Sequence, residues 1–173
     1  RTLFYDVLDE NHRPVKILMH RLGDVPAEDK VIYEELDERF FVHLVKSASK
    51  QFIYVVASGN NMSEWHFMEA DSPTNGLKLI QPRHPDFEYE VVDHGNRFQI
   101  RHNGSDAMDF KISETLISKP TWENWKDLIP HMSGRPIGEI TVFQNHLVLC
   151  YRTLGLPKIW IMEFSTGKAH EIV

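Results

Sequence analysis

Four runs decide the fold: Phe40-Phe41-Val42-His43-Leu44-Val45-Lys46, Gln51-Phe52-Ile53-Tyr54-Val55-Val56-Ala57, Glu64-Trp65-His66-Phe67-Met68-Glu69-Ala70 and Leu77-Lys78-Leu79-Ile80-Gln81. Each is short, rich in β-branched and aromatic residues, and bounded by Ser, Gly, Asn, Asp or Pro, the pattern of a strand between turns. Comparable groups begin at Tyr89 and at Ile140, 49 and 51 residues on from the group before. In these the opening pairs are Tyr89–Asp93 with Arg97–His102, and Glu139–Phe143 with His146–Arg152. Third strands are expected at Met108–Ser113 and Lys158–Phe164, and closing strands at Trp125–Ile129 and Ala169–Val173. Turn pairs such as Gly95-Asn96 and Thr166-Gly167 join them, because Gly and Asn tolerate the positive φ of tight hairpins.

A four-stranded antiparallel unit recurring about every fifty residues predicts β-propeller blades. A β-sandwich or an up-and-down barrel could share the strand spacing, but neither predicts that period with four strands per unit. Before the first full unit, Leu3–Leu8 and Val15–His20 read as half of another. The fold class is therefore all-β, an incomplete β-propeller of about three and a half blades. The expected division is 1–38 (half blade plus connection), 39–83, 84–130 and 131–173 (one blade each). Helical periodicity is confined to single turns at Pro26–Lys30 and Thr121–Asn124. The chain opens on Arg1-Thr2-Leu3 rather than Met, which leads us to expect a piece of a longer protein, with apolar blade faces that could drive self-association.

With 173 residues, 42% hydrophobic and 25% charged, the composition is globular. The formal charge of −6 and the dispersed Lys and Arg argue against nucleic acid and anionic membranes as partners. No apolar run reaches the length of a membrane span. Cys150 is the single cysteine, so no disulfide framework or Cys-x-x-Cys site exists. In Leu147-Val148-Leu149-Cys150-Tyr151 it reads as a small buried hydrophobe. A reducing, cytoplasmic setting is expected. Asn61-Met62-Ser63 and Asn103-Gly104-Ser105 fit the glycosylation pattern, but read better as turns.

Catalytic motifs are missing. There is no Gly-x-Ser-x-Gly elbow and no phosphate-binding glycine loop. The ten histidines (12, 20, 43, 66, 84, 94, 102, 131, 146 and 170) show neither the two-residue spacing of ligands on one strand face nor the helical spacings of three to five. Most are expected beside turns or on polar strand faces. Glu34-Glu35-Leu36-Asp37-Glu38 lacks the glycine of a hard-cation loop and reads as a solvated connection between blades. Trp122 and Trp125 are expected on one side of a short turn, closing the core edge of a blade. No catalytic, cofactor-binding or metal-ligating residue is assigned, and no cofactor.

Several collinear stretches carry a resemblance. They are 4–10 (Phe-Tyr-Asp-Val-Leu-Asp-Glu), His20-Arg21-Leu22-Gly23, the run 28–44 from Glu28 through Tyr33-Glu34-Glu35 to Leu44, Arg83 with Glu88-Tyr89, Asp93-His94 with Arg97-Phe98, and Leu128-Ile129-Pro130. Together they resemble the oligopeptidase B (protease II) group of the prolyl oligopeptidase family of serine peptidases, over essentially the whole chain. The resemblance implies a seven-bladed propeller over an α/β-hydrolase domain that carries a Ser-Asp-His triad and cleaves peptides after Lys or Arg. The propeller would act as a size filter. The triad segments would lie outside these residues, so the implied partners are the hydrolase domain of the same chain and peptide substrates. The alternative is a non-enzymatic, kelch-like scaffold. A small-ligand barrel is a third reading.

Overall fold

A computed structural model describes residues 1–172, and Val173, the end of the expected last strand, lies outside the described residues. Two compact units divide at Asp86/Phe87. The first holds two antiparallel sheets. One is β1 (Thr2–Leu8), β2 (Pro14–Arg21) and β3 (Lys30–Glu34), paired in that order; the other is β4 (Phe41–Lys46), β5 (Phe52–Ser58), β6 (Ser63–Glu69) and β7 (Lys78–Gln81), also in order. The second unit repeats the plan with β8 (Tyr89–His94), β9 (Arg97–His102), β10 (Lys111–Leu116) and β11 (Lys126–Ile129). It closes with β12 (Ile137–Val142), β13 (His146–Thr153), β14 (Leu156–Glu163) and β15 (Ala169–Ile172). Each sheet is a meander of sequential neighbours, the construction of a propeller blade. The fold is thus all-β, an incomplete propeller of three four-stranded blades and one three-stranded sheet.

Strand alternation builds each core. In the first unit Ile17, Val42, Val55 and Met68 are buried together, with Phe4, Ile32 and Leu44 against them. In the second, Ile112, Ile137, Ile140, Leu147, Leu149 and Met162 form the equivalent cluster. Cross-strand register places these residues on common faces: Val42 pairs with Ala57, and Leu149 lies opposite both Ile140 and Trp160.

Three expectations are corrected. Strand β3 occupies the stretch read as a connection: Val31, Ile32 and Tyr33 complete a short edge strand on β2, where Lys16 and Glu34 pair across at 2.9 Å. The third strand of the next blade starts at Lys111 rather than Met108. The alternation of Met108-Asp109-Phe110-Lys111 mimics a strand, but Phe110 is held at φ 65°, outside any extended conformation. Cys150 is exposed, not buried. Leu147, Leu149 and Tyr151 face inward along β13, so the two-residue period turns Cys150 outward. The two expected helical turns are 3-10 turns at Pro26–Glu28 and Trp122–Asn124, and a third lies at Pro73–Asn75.

Candidate functional site

Two polar clusters stand out, one in each unit. In the first, Arg83, just beyond β7, reaches three elements. Its Nη2 donates to Glu35 Oε2 at 2.5 Å, Glu64 Oε1 at 3.1 Å and the Tyr33 hydroxyl at 3.1 Å, while its backbone N–H donates to Glu64 Oε2 at 3.0 Å. The guanidinium lies 3.9 Å from the centroid of the Phe40 ring, a stacked cation–π geometry. Glu35 also accepts from the Tyr33 hydroxyl at 3.0 Å and the Asp37 N–H at 2.9 Å. One guanidinium thus ties the β3–β4 connection to β6 and to the segment after β7.

Burial works against the Arg83 charge, but hydrogen bonds to Glu35 and Glu64 outweigh it and raise its pKa. Burial also acts to raise Glu64, yet Arg83 prevails and holds that carboxyl below its usual range. Burial, and then the Glu35 carboxylate, push the Tyr33 phenol up. His66 is lowered by burial, with Glu64 opposing, and its buried Nδ1 has no hydrogen-bond partner. The acidic run was expected to be solvated. The structure instead turns Glu35 inward and leaves Leu36 83% exposed, because Glu35 finds the half-buried Arg83 guanidinium there.

The second cluster joins β9, β10 and β11 and contains the residue types of a serine triad. Gly104 N–H donates to His102 Nδ1 at 3.2 Å, so the ring proton sits on Nε2, which donates to Ser113 Oγ at 2.8 Å. Ser113 in turn donates to Asp127 Oδ1 at 2.9 Å, and Lys111 Nζ holds Asp127 Oδ2 at 3.0 Å. The order is His–Ser–Asp with serine in the middle. A nucleophilic serine needs a histidine that accepts its proton and a carboxylate behind that histidine. Here histidine donates to the serine, and the serine proton points at the carboxylate.

His102 and Ser113 are each 1% exposed, which leaves no path for a substrate. Burial, with Lys111 adding to it, pushes the His102 imidazole down to about 4, against the pull of Asp127. Burial acts to raise the Asp127 carboxyl, but hydrogen bonds from Lys111 and Ser113 hold it below the usual range. Phe87, Trp122 and Trp125 surround His102, with ring centroids 5.1 to 6.3 Å away. Gly104 passes so close beneath Trp122 that a Cβ there would lie 2.4 Å from that ring. The cluster is a strut across three strands.

No group of three or more His, Cys, Asp or Glu side chains could hold a metal among the described residues. Most histidines were expected beside turns or on polar strand faces, and two take part in interior contacts. His102 is in the core, and His20 Nδ1 meets the buried Asp29 carboxylate at 2.6 Å, where the Tyr5 hydroxyl also donates at 2.7 Å. Sequence reasoning missed Arg83, Glu35 and Glu64 as a unit, since they are brought together from positions up to 48 residues apart.

Fold and clusters together define a piece of a propeller braced by two polar networks. All 173 residues match the model of the prolyl oligopeptidase N-terminal β-propeller domain. The chain belongs to that family. It is 29% identical to Protease 2 of Moraxella lacunata over 161 residues, 93% of this chain and 23% of that protein. To dipeptidyl aminopeptidase BI of Pseudoxanthomonas mexicana it is 28% identical, over 94% of this chain and 22% of that one. Oligopeptidase B from Leishmania major superposes with a TM-score of 0.91 at 27% identity, covering 99% of this chain and 25% of the other. The chain therefore spans about a quarter of the length of these relatives. The scaffold alternative is not favoured by these matches, and no helix of the described residues is long and apolar enough to cross a membrane.

Proposed function

We propose that this chain is the part of an oligopeptidase B-like enzyme's propeller that restricts access to a serine-peptidase domain, admitting peptides and excluding folded proteins. The observation that carries the reading is the full-length match to the propeller domain model together with the 0.91 superposition on an oligopeptidase B. The parent would cleave after Lys or Arg through the acyl-enzyme route of a Ser-His-Asp triad, in a reducing cytoplasmic setting. The chain itself would be non-catalytic, which the inaccessible His102–Ser113–Asp127 order supports. Its blades would correspond to 39–83, 84–130 and 131–173.

The test is turnover of Lys- and Arg-containing peptides. The 173-residue chain is expected to show none, and the full-length protein is expected to show turnover that a serine-directed inhibitor abolishes. Inhibitor-sensitive turnover by the chain alone, or its absence from the full-length protein, would refute the reading.

A further inference from the structure

The core between the two sheets of the second unit does not close on the side of β11. An apolar pocket of about 110 Å³ opens there, lined by Ile129, Met132, Ile137, Leu149, Tyr151 and Trp160, with Arg135 at its edge. A β-bulge shapes it. Ile137 pairs with Tyr151 and Glu139 with Cys150, so Gly138 is an extra residue in β12. The extra residue lets Ile137 share the core with Ile140, three positions on, where strict alternation would turn one of them outward. Ile137 and Leu149 form the closed end of the pocket, 6% and 3% exposed. Trp160, opposite Leu149 in the register, and Ile129 of β11 form its walls.

The mouth of the pocket is held in place. The β11–β12 loop (130–136) supplies Met132, 49% exposed, and Arg135. Asp109 pins that loop, its Oδ2 accepting Gly134 N–H at 2.6 Å and its carbonyl accepting Ile137 N–H at 2.9 Å. Within the loop, Arg135 N–H donates to the Met132 carbonyl at 3.1 Å. A mouth already fixed loses little freedom when a ligand enters. The charge around it is positive. The Arg135 guanidinium lies 5.7 Å from the Tyr151 ring centroid and makes no ion pair among the described residues. The nearby Glu171 carboxylate is engaged by Lys158 Nζ at 2.8 Å and by the Tyr151 hydroxyl. The Glu171 hydrogen bond and then burial raise the Tyr151 phenol, while Arg135 and Lys158 both pull it down. Two cations thus act at the mouth against one carboxylate.

We infer that this pocket binds a small aromatic acid, with a phenyl-sized ring against Ile137, Leu149 and Trp160 and a carboxylate at the mouth on Arg135. Water inside it would find few hydrogen-bond partners, and an apolar cavity of ~150 Å³ takes a benzene ring. The smaller volume here admits a ring whose substituent stays at the open side. An aromatic ring suits walls that include Trp160 and Tyr151, since ring edges and faces attract one another. Both sheets that form the pocket belong to this chain, so the inference does not depend on the proposed function.

Fluorine NMR titration of the full-length protein with 4-fluorophenylacetate and 4-fluorophenylacetamide tests this. The acid is expected to bind saturably with a dissociation constant on the order of 1 mM, about fivefold tighter than the amide. R135Q should bring the acid to the affinity of the amide and leave the amide unchanged. In R135E, 4-fluorophenethylamine should bind more tightly than the acid, the reverse of wild type. Arg135 is exposed and makes no ion pair, so both variants should fold, and the comparison of acid with amide in wild type needs no variant. N-acetyl-4-fluorophenylalanine presents the same chemistry as a peptide C-terminus. Tighter binding than the free acid would support the site and assign it to peptide ends, and weaker binding would support it and assign it to free acids. No saturable shift by about 10 mM, equal affinity for acid and amide, or the wild-type ranking retained in R135E would overturn the inference.

Discussion

Acid should destabilise the second unit through His102, by an amount the structure sets. The unfolded imidazole titrates near 6.5, and burial beside Lys111 brings the folded one to about 4. Below pH 6.5 the unfolded chain takes up a proton that the folded chain refuses, so stability falls as pH falls and levels off near 4. Relative to pH 7, a shift from 6.5 to about 4 removes about 2 kcal/mol at pH 5 and about 3 kcal/mol at pH 4. Asp127 is already held ionised below its usual range, so it does not cancel this loss.

The assay is urea unfolding of the 173-residue chain and its H102Q variant across pH 7 to 4, followed by tryptophan fluorescence. Trp122 and Trp125 lie 5.2 and 5.1 Å from the His102 ring and report on the strut directly. Glutamine keeps a donor for Ser113 and removes the titration. The wild-type curve should therefore fall by about 3 kcal/mol more than the variant's. Groups remote from the cluster, His66 included, titrate alike in both proteins and drop out of the difference. Parallel curves would refute both the neutral buried imidazole and the hydrogen-bond order inferred for the cluster.

Three further outcomes are expected. R83M should cost the first unit about 3–5 kcal/mol, because it leaves the buried Glu35 carboxylate without its cation; a change below 1 kcal/mol in urea unfolding would show the network to be incidental. G104A should cost about 1–3 kcal/mol by forcing Trp122 off Phe87 and His102, and an unaltered near-ultraviolet circular dichroism spectrum would count against that contact. Cys150 should react stoichiometrically with a maleimide in the folded chain without denaturant. In the full-length protein a further blade over that sheet face should slow the reaction, and equal rates in the two would contradict the propeller context proposed for it.

Much of the fold was legible because strands write their period locally. Arg97–His102 emerges with the bounds read from its residues, since Phe98 and Ile100 alternate with Arg97 and Arg101 and both ends abut turns. The errors fall where local pattern and tertiary pairing part. Lys30–Glu34 carries a charge at each end and becomes a strand only by pairing with β2. Met108–Phe110 alternates like a strand, but Phe110 has a positive φ and Asp109 ties this loop to Gly134 and Ile137 instead. Cys150 sits in an apolar run, yet only the register of β13 between β12 and β14 says which of its neighbours face the core.

The polar clusters were illegible for a different reason. Glu35, Glu64 and Arg83 are unremarkable charges in the sequence, and so are His102, Ser113 and Asp127 among many polar residues. Strand order and turn length bring each set together, and burial then gives it energetic weight. The amino-acid sequence by itself determined the class: a fifty-residue recurrence of alternating apolar runs, enough to specify blades and, by resemblance, a family. Only the tertiary structure decided which charges are buried, which residue accepts the proton of the strut's serine, and which loops hold non-glycine residues at positive φ. Periodicity is set by the backbone geometry of single strands, whereas desolvation, hydrogen-bond direction and strain depend on which distant residues share a few ångströms of space.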